Sequence, residues 1–319
     1  MYESFYKLKT KPFNNSPDPR FFYPSAKHAE ALDRLYYAIV ERKGFVVITG
    51  EIGAGKTTVC RALLKRLDDR HNEVCMITNT HLSPKELIIA ILEDLRVPYR
   101  PATKVKLLSQ LNDYLIERMQ EDKNVILIID EAQNLTPSVL EEVRMLSNLE
   151  TDTEKLLQII LMGQPQLREK LRLRNLEQFR QRISIHYHLY PLNPQETVGY
   201  VNHRLAVVTE NGSAGVIFSP QALEQVFMFS QGIPRLINYI CDSALLNGFV
   251  YERKQIDAAL MTEVINESHA RIQEAEDVVK TFCCERCQFA KHCVTRWIRG
   301  EQGKEQTCCE LCRYYKDCH

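Results

Sequence analysis

The sequence has no long apolar run. Its longest unbroken stretch of apolar side chains is six residues, Leu87–Leu92, against the roughly 18 that a membrane-spanning helix needs. The opening segment Met1–Thr10 is aromatic and charged rather than a leader. With neither a signal peptide nor a transmembrane segment, the expected location is the cytoplasm, with a peripheral position at the inner membrane left open. Net charge is lacking too: Lys+Arg and Asp+Glu both number 41, so no global field draws the chain onto nucleic acid or anionic lipid. Cysteine is sparse before residue 283, where only Cys60, Cys75 and Cys241 occur. The other eight crowd the last 37 residues, which makes the tail a separate chemical object.

What is present is ordinary globular material. Of 319 residues, 45% are hydrophobic and 26% charged, enough to bury a core over most of the chain. At about 100–200 residues per domain this is one large or two ordinary domains with an appendage. Residues 1–43 form an aromatic, proline-rich lead-in ending in a helical pattern of Leu32, Leu35, Tyr36 and Ile39. From 44 to 193, β-rich runs alternate with helical ones. Strands are expected at Phe45–Thr49, Val74–Thr78, Val125–Ile129, Leu156–Met162 and Ile183–Leu189. Helices are expected at Thr57–Leu67, Lys85–Leu95, Leu107–Met119 and Ser138–Leu146. That alternation predicts an α/β fold with a parallel sheet covered by helices on both faces. Residues 194–275 read as an all-helical lid, with patterns at Glu196–Thr209, Pro220–Ser230, Arg235–Asn247 and Ile256–Ala275, and 276–319 is the cysteine tail.

Gly50-Glu51-Ile52-Gly53-Ala54-Gly55-Lys56-Thr57 has the phosphate-loop pattern G-x-x-x-x-G-K-[ST] at the junction of a predicted strand and helix, with Thr58 following. Glycines let successive backbone N–H groups wrap phosphate oxygens, and the helix aims its positive end at them. Lys56 would neutralise the β- and γ-phosphates of ATP, and Thr57 offers a hydroxyl to Mg²⁺. The apolar run Val125–Ile129 then delivers Asp130 and Glu131 to the carboxyl end of the sheet. Asp130 suits the Mg²⁺ shell, and Glu131 suits polarisation of the water that attacks the γ-phosphate. His28, His186 and His188 have no partner nameable from the sequence and read as packed or surface histidines.

Further stretches accompany these two motifs: Lys11-Pro12-Phe13, Pro17-Asp18-Pro19-Arg20-Phe21-Phe22-Tyr23, Asp130-Glu131-Ala132-Gln133, Leu146-Ser147-Asn148-Leu149-Glu150-Thr151, Leu161-Met162-Gly163-Gln164-Pro165, Gln181-Arg182-Ile183 and Gly232-Ile233-Pro234-Arg235. With them the chain resembles the AAA+ ATPases of the general secretion pathway protein A family over roughly residues 1–270. The resemblance implies a P-loop core with a helical lid, and a polar sensor at Gln164. It also implies a trans-acting arginine finger at Arg182, with Arg180 as the alternative, and a cis-acting arginine at Arg235. A finger serving the neighbouring subunit implies a homo-oligomer, such as a ring. Pro12 and Phe13 are expected either to cover the adenine or simply to belong to the core. Well-known members of the family continue into a membrane span and a peptidoglycan-binding domain, patterns not detected in this sequence.

In the tail, Cys283, Cys284, Cys287 and Cys293 fall at offsets that Cys308, Cys309, Cys312 and Cys318 repeat 25 residues later. This duplication predicts Zn²⁺ held by thiolates, with an iron–sulfur cluster as the alternative and Cys283 and Cys308 as the outlying ligands. Three functions compete. The first is an ATP-driven oligomeric switch or motor serving a protein client in a bacterial secretion, pilus or envelope machine. The second is a DNA-associated ATPase of the transposition or initiator type, and the third a metal- or redox-gated ATPase.

Overall fold

Five apolar runs become the strands of one sheet, each flanked by helices whose apolar faces need covering. The computed structural model describes residues 1–268 apart from 17, 101, 152–153, 174–175 and 210–216. The strands are β1 (Phe45–Gly50), β2 (Asn72–Ile77), β3 (Asn124–Ile129), β4 (Leu157–Gly163) and β5 (Ile185–Leu189). They lie in the order β2-β3-β4-β1-β5, every neighbouring pair parallel. The register sets Val47 against Leu161 on one side and His186 on the other. From β1 the chain crosses to the far edge at β2, whereas from β4 it crosses over β1 to reach β5. Loops at the carboxyl ends of β1 and β4 therefore leave in opposite directions and open the crevice in which such sheets hold ligands.

The helices are α1 (Tyr2–Phe5), α2 (Ala26–Val40), α3 (Lys56–Arg66), α4 (Pro84–Asp94), α5 (Lys104–Gln120), α6 (Pro137–Leu146), α7 (Pro165–Leu171), α8 (Glu177–Arg180), α9 (Pro194–Val208), α10 (Pro220–Ser230) and α11 (Pro234–Val250). Several begin one or two residues earlier than the apolar spacing predicts. The cause is proline at the first helical position of α4, α6, α9 and α11, where the missing N–H costs nothing and φ is already helical. Ser83 with Glu86, and Asn193 with Glu196, complete reciprocal capping boxes at the starts of α4 and α9.

Alternate residues of β1, β2, β3 and β4 face two separate cores. Val47, Leu127, Ile129 and Leu161 pack with Leu87, Leu107 and Val139 of α4, α5 and α6. Val46, Ile48, Ile128 and Met162 pack with Leu35, Val59 and Leu63 of α2 and α3. Both faces of the central strands are thus dry, which is why they read as continuous apolar runs. Cys60 and Cys75 are buried in these layers and Cys241 is buried on α11; burial pushes all three thiols up, Cys60 to about 12.

By packing, Met1–Ala258 forms one unit and Ala259–His319 a second. The boundary expected at 194 falls inside the first unit. There the lead-in is tied to the helices that follow β5: Leu8 bridges to Thr209, and the Arg204 guanidinium donates to the carbonyls of Pro12 and Asn14. The described part of the second unit is helical, within a helix that runs over 258–268. All eight tail cysteines lie outside the described residues, as does the expected extension of that helix to Ala275. Among the described residues, no helix is long and apolar enough to cross a membrane.

Candidate nucleotide site

The loop between β1 and α3 is shaped by two glycines in the left-handed region, Gly53 at φ 79° and Gly55 at φ 100°. Gly55 leads directly into α3, which starts without a side-chain cap, so its first N–H groups face the crevice. Lys56 is buried at 7% exposure, and its Nζ donates to the carbonyl oxygens of Gly50 (2.9 Å) and Glu51 (3.0 Å). Burial lowers its pKa, while Glu131, Asp130 and Glu51 work to hold the charge on. An ammonium resting on two loop carbonyls and faced by carboxylates is a cation well placed to take a phosphate oxygen instead.

Opposite the loop, β3 ends at Asp130. The Thr57 hydroxyl donates to Asp130 Oδ2 at 3.1 Å, and the Glu131 amide to Oδ1 at 2.9 Å. Glu131 takes a left-handed conformation, φ 51°, turning the chain out of the strand into the short turn Ala132–Asn134. Glu131 Oε2 accepts from Gln133 Nε2 (2.5 Å) and Gln164 Nε2 (3.2 Å). Two carboxylates, a hydroxyl and an ammonium therefore meet within one crevice, in which hard oxygen donors of the kind that suit Mg²⁺ adjoin a carboxylate braced by amides.

A cavity of about 360 Å³ opens over the loop, within the roughly 300–1,000 Å³ that small-molecule pockets occupy. Its floor includes Gly53, Lys56, Thr57, Thr58 and Glu131. Phe21, Phe22 and Tyr23 from the lead-in form one wall. Tyr200, Arg204, Arg235 and Asn238 from α9 and α11 form the other. Polar bonds knit these walls together: Tyr200 donates to Asn238 Oδ1 (2.9 Å), Asn238 to Asn15 Oδ1 (3.1 Å) and Arg204 to the Tyr200 hydroxyl (2.8 Å).

An AAA domain family matches residues 39–171. General secretion pathway protein A of Aeromonas hydrophila is 45% identical over 250 residues, which is 78% of this chain and 45% of that protein. The chain is an AAA+ protein of the general secretion pathway protein A family. It spans a little under half the length of that curated relative. The fold is also that of the Aeropyrum pernix ORC2 protein (TM-score 0.62, 18% identity, 81% of this chain and 72% of that one). Cdc6p from Pyrobaculum aerophilum is similar as well (TM-score 0.59, 19% identity, 77% and 67%). At such identities the likeness concerns architecture alone.

In this AAA+ chain the structure brings together the loop residues, Asp130, Glu131, Gln164 and Arg235. Arg235 follows Pro234 at the start of α11; its amide donates to the Gly53 carbonyl at 3.3 Å, and a Cβ added at Gly53 would collide with the Arg235 Cβ. Arg180 and Arg182 lie elsewhere, outside the lining of their own chain's cavity. Arg182 Nη1 sits 3.5 Å from Ser147 Oγ, and Arg180 Nη1 3.4 Å from the Arg172 carbonyl. Pro12 and Phe13 are buried but do not line the cavity; Phe13 meets Phe218 edge to face, the core alternative, and Pro12 presents its carbonyl to Arg204. The aromatic wall comes instead from Phe21 to Tyr23, about ten residues on.

Two contributors escape sequence reasoning. His28 is buried, with Nδ1 2.8 Å from Ser25 Oγ and Nε2 2.9 Å from the Ala54 carbonyl, so it braces the phosphate loop from α2. Only the Ser25-x-x-His28 spacing at a helix start hints at this. Arg204 is 5% exposed on the inner face of α9, and a cation at an apolar position of that helix was the available signal. His186 and His188 are on β5, where His188 Nδ1 lies 3.0 Å from Thr49 Oγ1.

Proposed function

We propose that the protein binds ATP with Mg²⁺ and hydrolyses it, working as an oligomeric switch. The observation that carries this reading is the meeting of Lys56, the Thr57–Asp130 pair and the amide-braced Glu131 on one cavity. On phosphate entry Lys56 exchanges its two carbonyl partners for β- and γ-oxygens, and the N–H groups at the start of α3 take the β-phosphate. Thr57 and Asp130 supply the oxygen ligands for Mg²⁺, which when bound neutralises charge on the phosphates. Glu131 accepts a proton from, and so orients, the attacking water, and Gln164 stands beside it as the polar sensor. Arg235 reaches the phosphates from α11 of the same chain, whereas Arg182, or in its place Arg180, serves a neighbouring subunit.

The proposed client is a protein of an envelope or secretion system; the 45% identical relative supports this choice, whereas the initiator-like folds carry no such weight. The duplicated cysteines of the tail are proposed to hold zinc; metal analysis of anaerobically purified protein that returns iron with acid-labile sulfide, or no metal, would reject zinc. The test of the central reading uses two variants. Lys56→Ala is expected to lose nucleotide binding, and Glu131→Gln to bind ATP without releasing phosphate. Hydrolysis at the wild-type rate by Glu131→Gln refutes the assigned base.

A further inference from the structure

Glu131 stands at the end of a strand, in a left-handed conformation and partly open to the cavity, so its carboxylate would be free to swing unless something held it. The geometry assigns that task to Gln133, as a positioning residue that fixes one carboxylate oxygen of Glu131 and leaves the other for water. The inference rests on the ATPase reading above and specifies how its base is set.

The Gln133 carboxamide is engaged at both ends. Its Oε1 accepts the backbone N–H of Gln164 at 3.0 Å, and its Nε2 donates to Glu131 Oε2 at 2.5 Å. A backbone amide can only donate, so the first bond dictates that the oxygen of the carboxamide faces β4 and its NH₂ faces Glu131. Gln164 Nε2 reaches the same Oε2 at 3.2 Å, and Oε1 of Glu131 takes no hydrogen bond from any described residue. One oxygen is thus held by two donors, and the other is left to accept from elsewhere.

The surroundings fix Gln133 in turn. A Cβ at Gly163 would lie 2.9 Å from Gln133 Oε1, so the bare glycine at the end of β4 is what admits the carboxamide. From α7, Lys170 donates to the carbonyls of Gln133 and of Leu135, the latter at 2.8 Å, clamping the turn that carries Gln133. The Glu131 carboxylate is therefore referenced to β4 and α7 as well as to its own strand. Displacing a reacting group by about 1 Å can cost on the order of 10² in rate, so this bracing bears on turnover rather than on binding.

The test uses the full chain with Gln133→Glu, Gln133→Ala and Glu131→Gln. Glutamate at 133 keeps the size and the acceptor for the Gln164 amide but puts a second carboxylate where the donor to Glu131 stood, so the proposed contact is lost and replaced by repulsion. The expected result for Gln133→Glu and Gln133→Ala is a fall in kcat of about tenfold or more, with KM and the affinity for a fluorescent ATP analogue within about twofold of wild type. If Gln133→Ala unfolds, Gln133→Glu decides. A Gln133→Glu protein with wild-type kcat overturns the assignment. Where Glu131→Gln abolishes turnover and Gln133→Glu keeps the wild-type kcat, the positioning claim falls and the ATPase reading stands. Where Glu131→Gln turns over normally, the base itself is wrong and the claim falls with it.

Discussion

Arg204 should be a point at which the cavity walls can be unfastened. Its guanidinium is buried and, among the described residues, pairs with no carboxylate: Nε donates to the Pro12 carbonyl at 2.5 Å, Nη2 to the Asn14 carbonyl at 2.8 Å and Nη1 to the Tyr200 hydroxyl at 2.8 Å. It also stacks over Phe21, with Cζ 4.5 Å from the ring centroid. Replacement by methionine keeps most of the apolar stem but leaves two carbonyls and a hydroxyl without their donor. Asn14 is exposed and can turn to water, whereas Pro12 and Tyr200 are buried. Counting the two buried acceptors at about 1–3 kcal/mol each gives a loss of roughly 3 kcal/mol. At about 2–4 °C per kcal/mol for a chain of this size, Tm should fall by roughly 6–12 °C. The strap through Asn15 and Phe21–Tyr23 would loosen with it, so affinity for a fluorescent ATP analogue should drop by about tenfold, or ~1.4 kcal/mol. Arg204→Lys should recover only part of both, since one ammonium cannot match three divergent acceptors. Thermal unfolding and nucleotide titration on the same samples would measure this. A methionine variant with wild-type Tm and wild-type affinity would refute the role given to the strap.

Other outcomes follow from the same geometry. Gly53→Ala places a Cβ against Arg235 in a left-handed backbone that costs a side chain about 1–2 kcal/mol; nucleotide affinity should fall about tenfold or more, and an unchanged titration would show that the loop can shift freely. Burial holds His28 below its ordinary value of 6.5, so the folded chain favours the neutral ring; its contribution to stability is complete above pH 6.5 and is lost as pH falls from there through the folded value. Denaturant unfolding between pH 7.5 and 5.5 should therefore show a smaller loss for His28→Gln than for wild type, and equal slopes would exclude His28 as a source of that loss. Arg182→Ala should bind ATP but hydrolyse it slowly, and mixing it with Glu131→Gln protein should partly restore turnover if the finger acts between subunits; no restoration would place the role within one chain.

The parts of this site that were legible in the sequence are local. Gly50–Thr57 carries its own conformation, because glycine at 53 and 55 permits the positive φ values found there, and Val125–Ile129 is apolar enough to fix a central strand that must end at Asp130. The sheet followed from the alternation of such runs, with element ends displaced by up to three residues: proline at the first position takes α4 and α9 one or two residues further back than apolar spacing alone implies, α5 starts at Lys104 rather than Leu107, and the short helices α7 and α8 carry too few turns to show a period. What was not legible depends on contacts across long stretches of chain. Phe13 and Phe21 are indistinguishable as aromatic residues in one proline-rich segment. Only the fold puts the first against Phe218 and the second beneath Arg204.

That division has a physical consequence for how the molecule could work. The phosphate loop and the acids are anchored in strands buried on both faces, and these should hold their shape with or without ligand. The wall facing them is held differently, by polar bonds among Arg204, Tyr200, Asn238 and Asn15 and by one backbone contact from Arg235 to Gly53. Of these, the bond from Asn238 to the exposed Asn15 can exchange with water or with a nucleotide at little net cost, whereas the buried Arg204–Tyr200–Asn238 chain holds its side of the wall together. Arg235 touches the loop on one side and belongs on the other to α11, whose buried face of Ile237, Ile240, Cys241 and Ala244 makes it move as a body. On the proposed ATPase reading, loss of the γ-phosphate would act on a stiff helix through Arg235 at its first turn, and a small displacement there would be carried along α11 rather than absorbed in the loop.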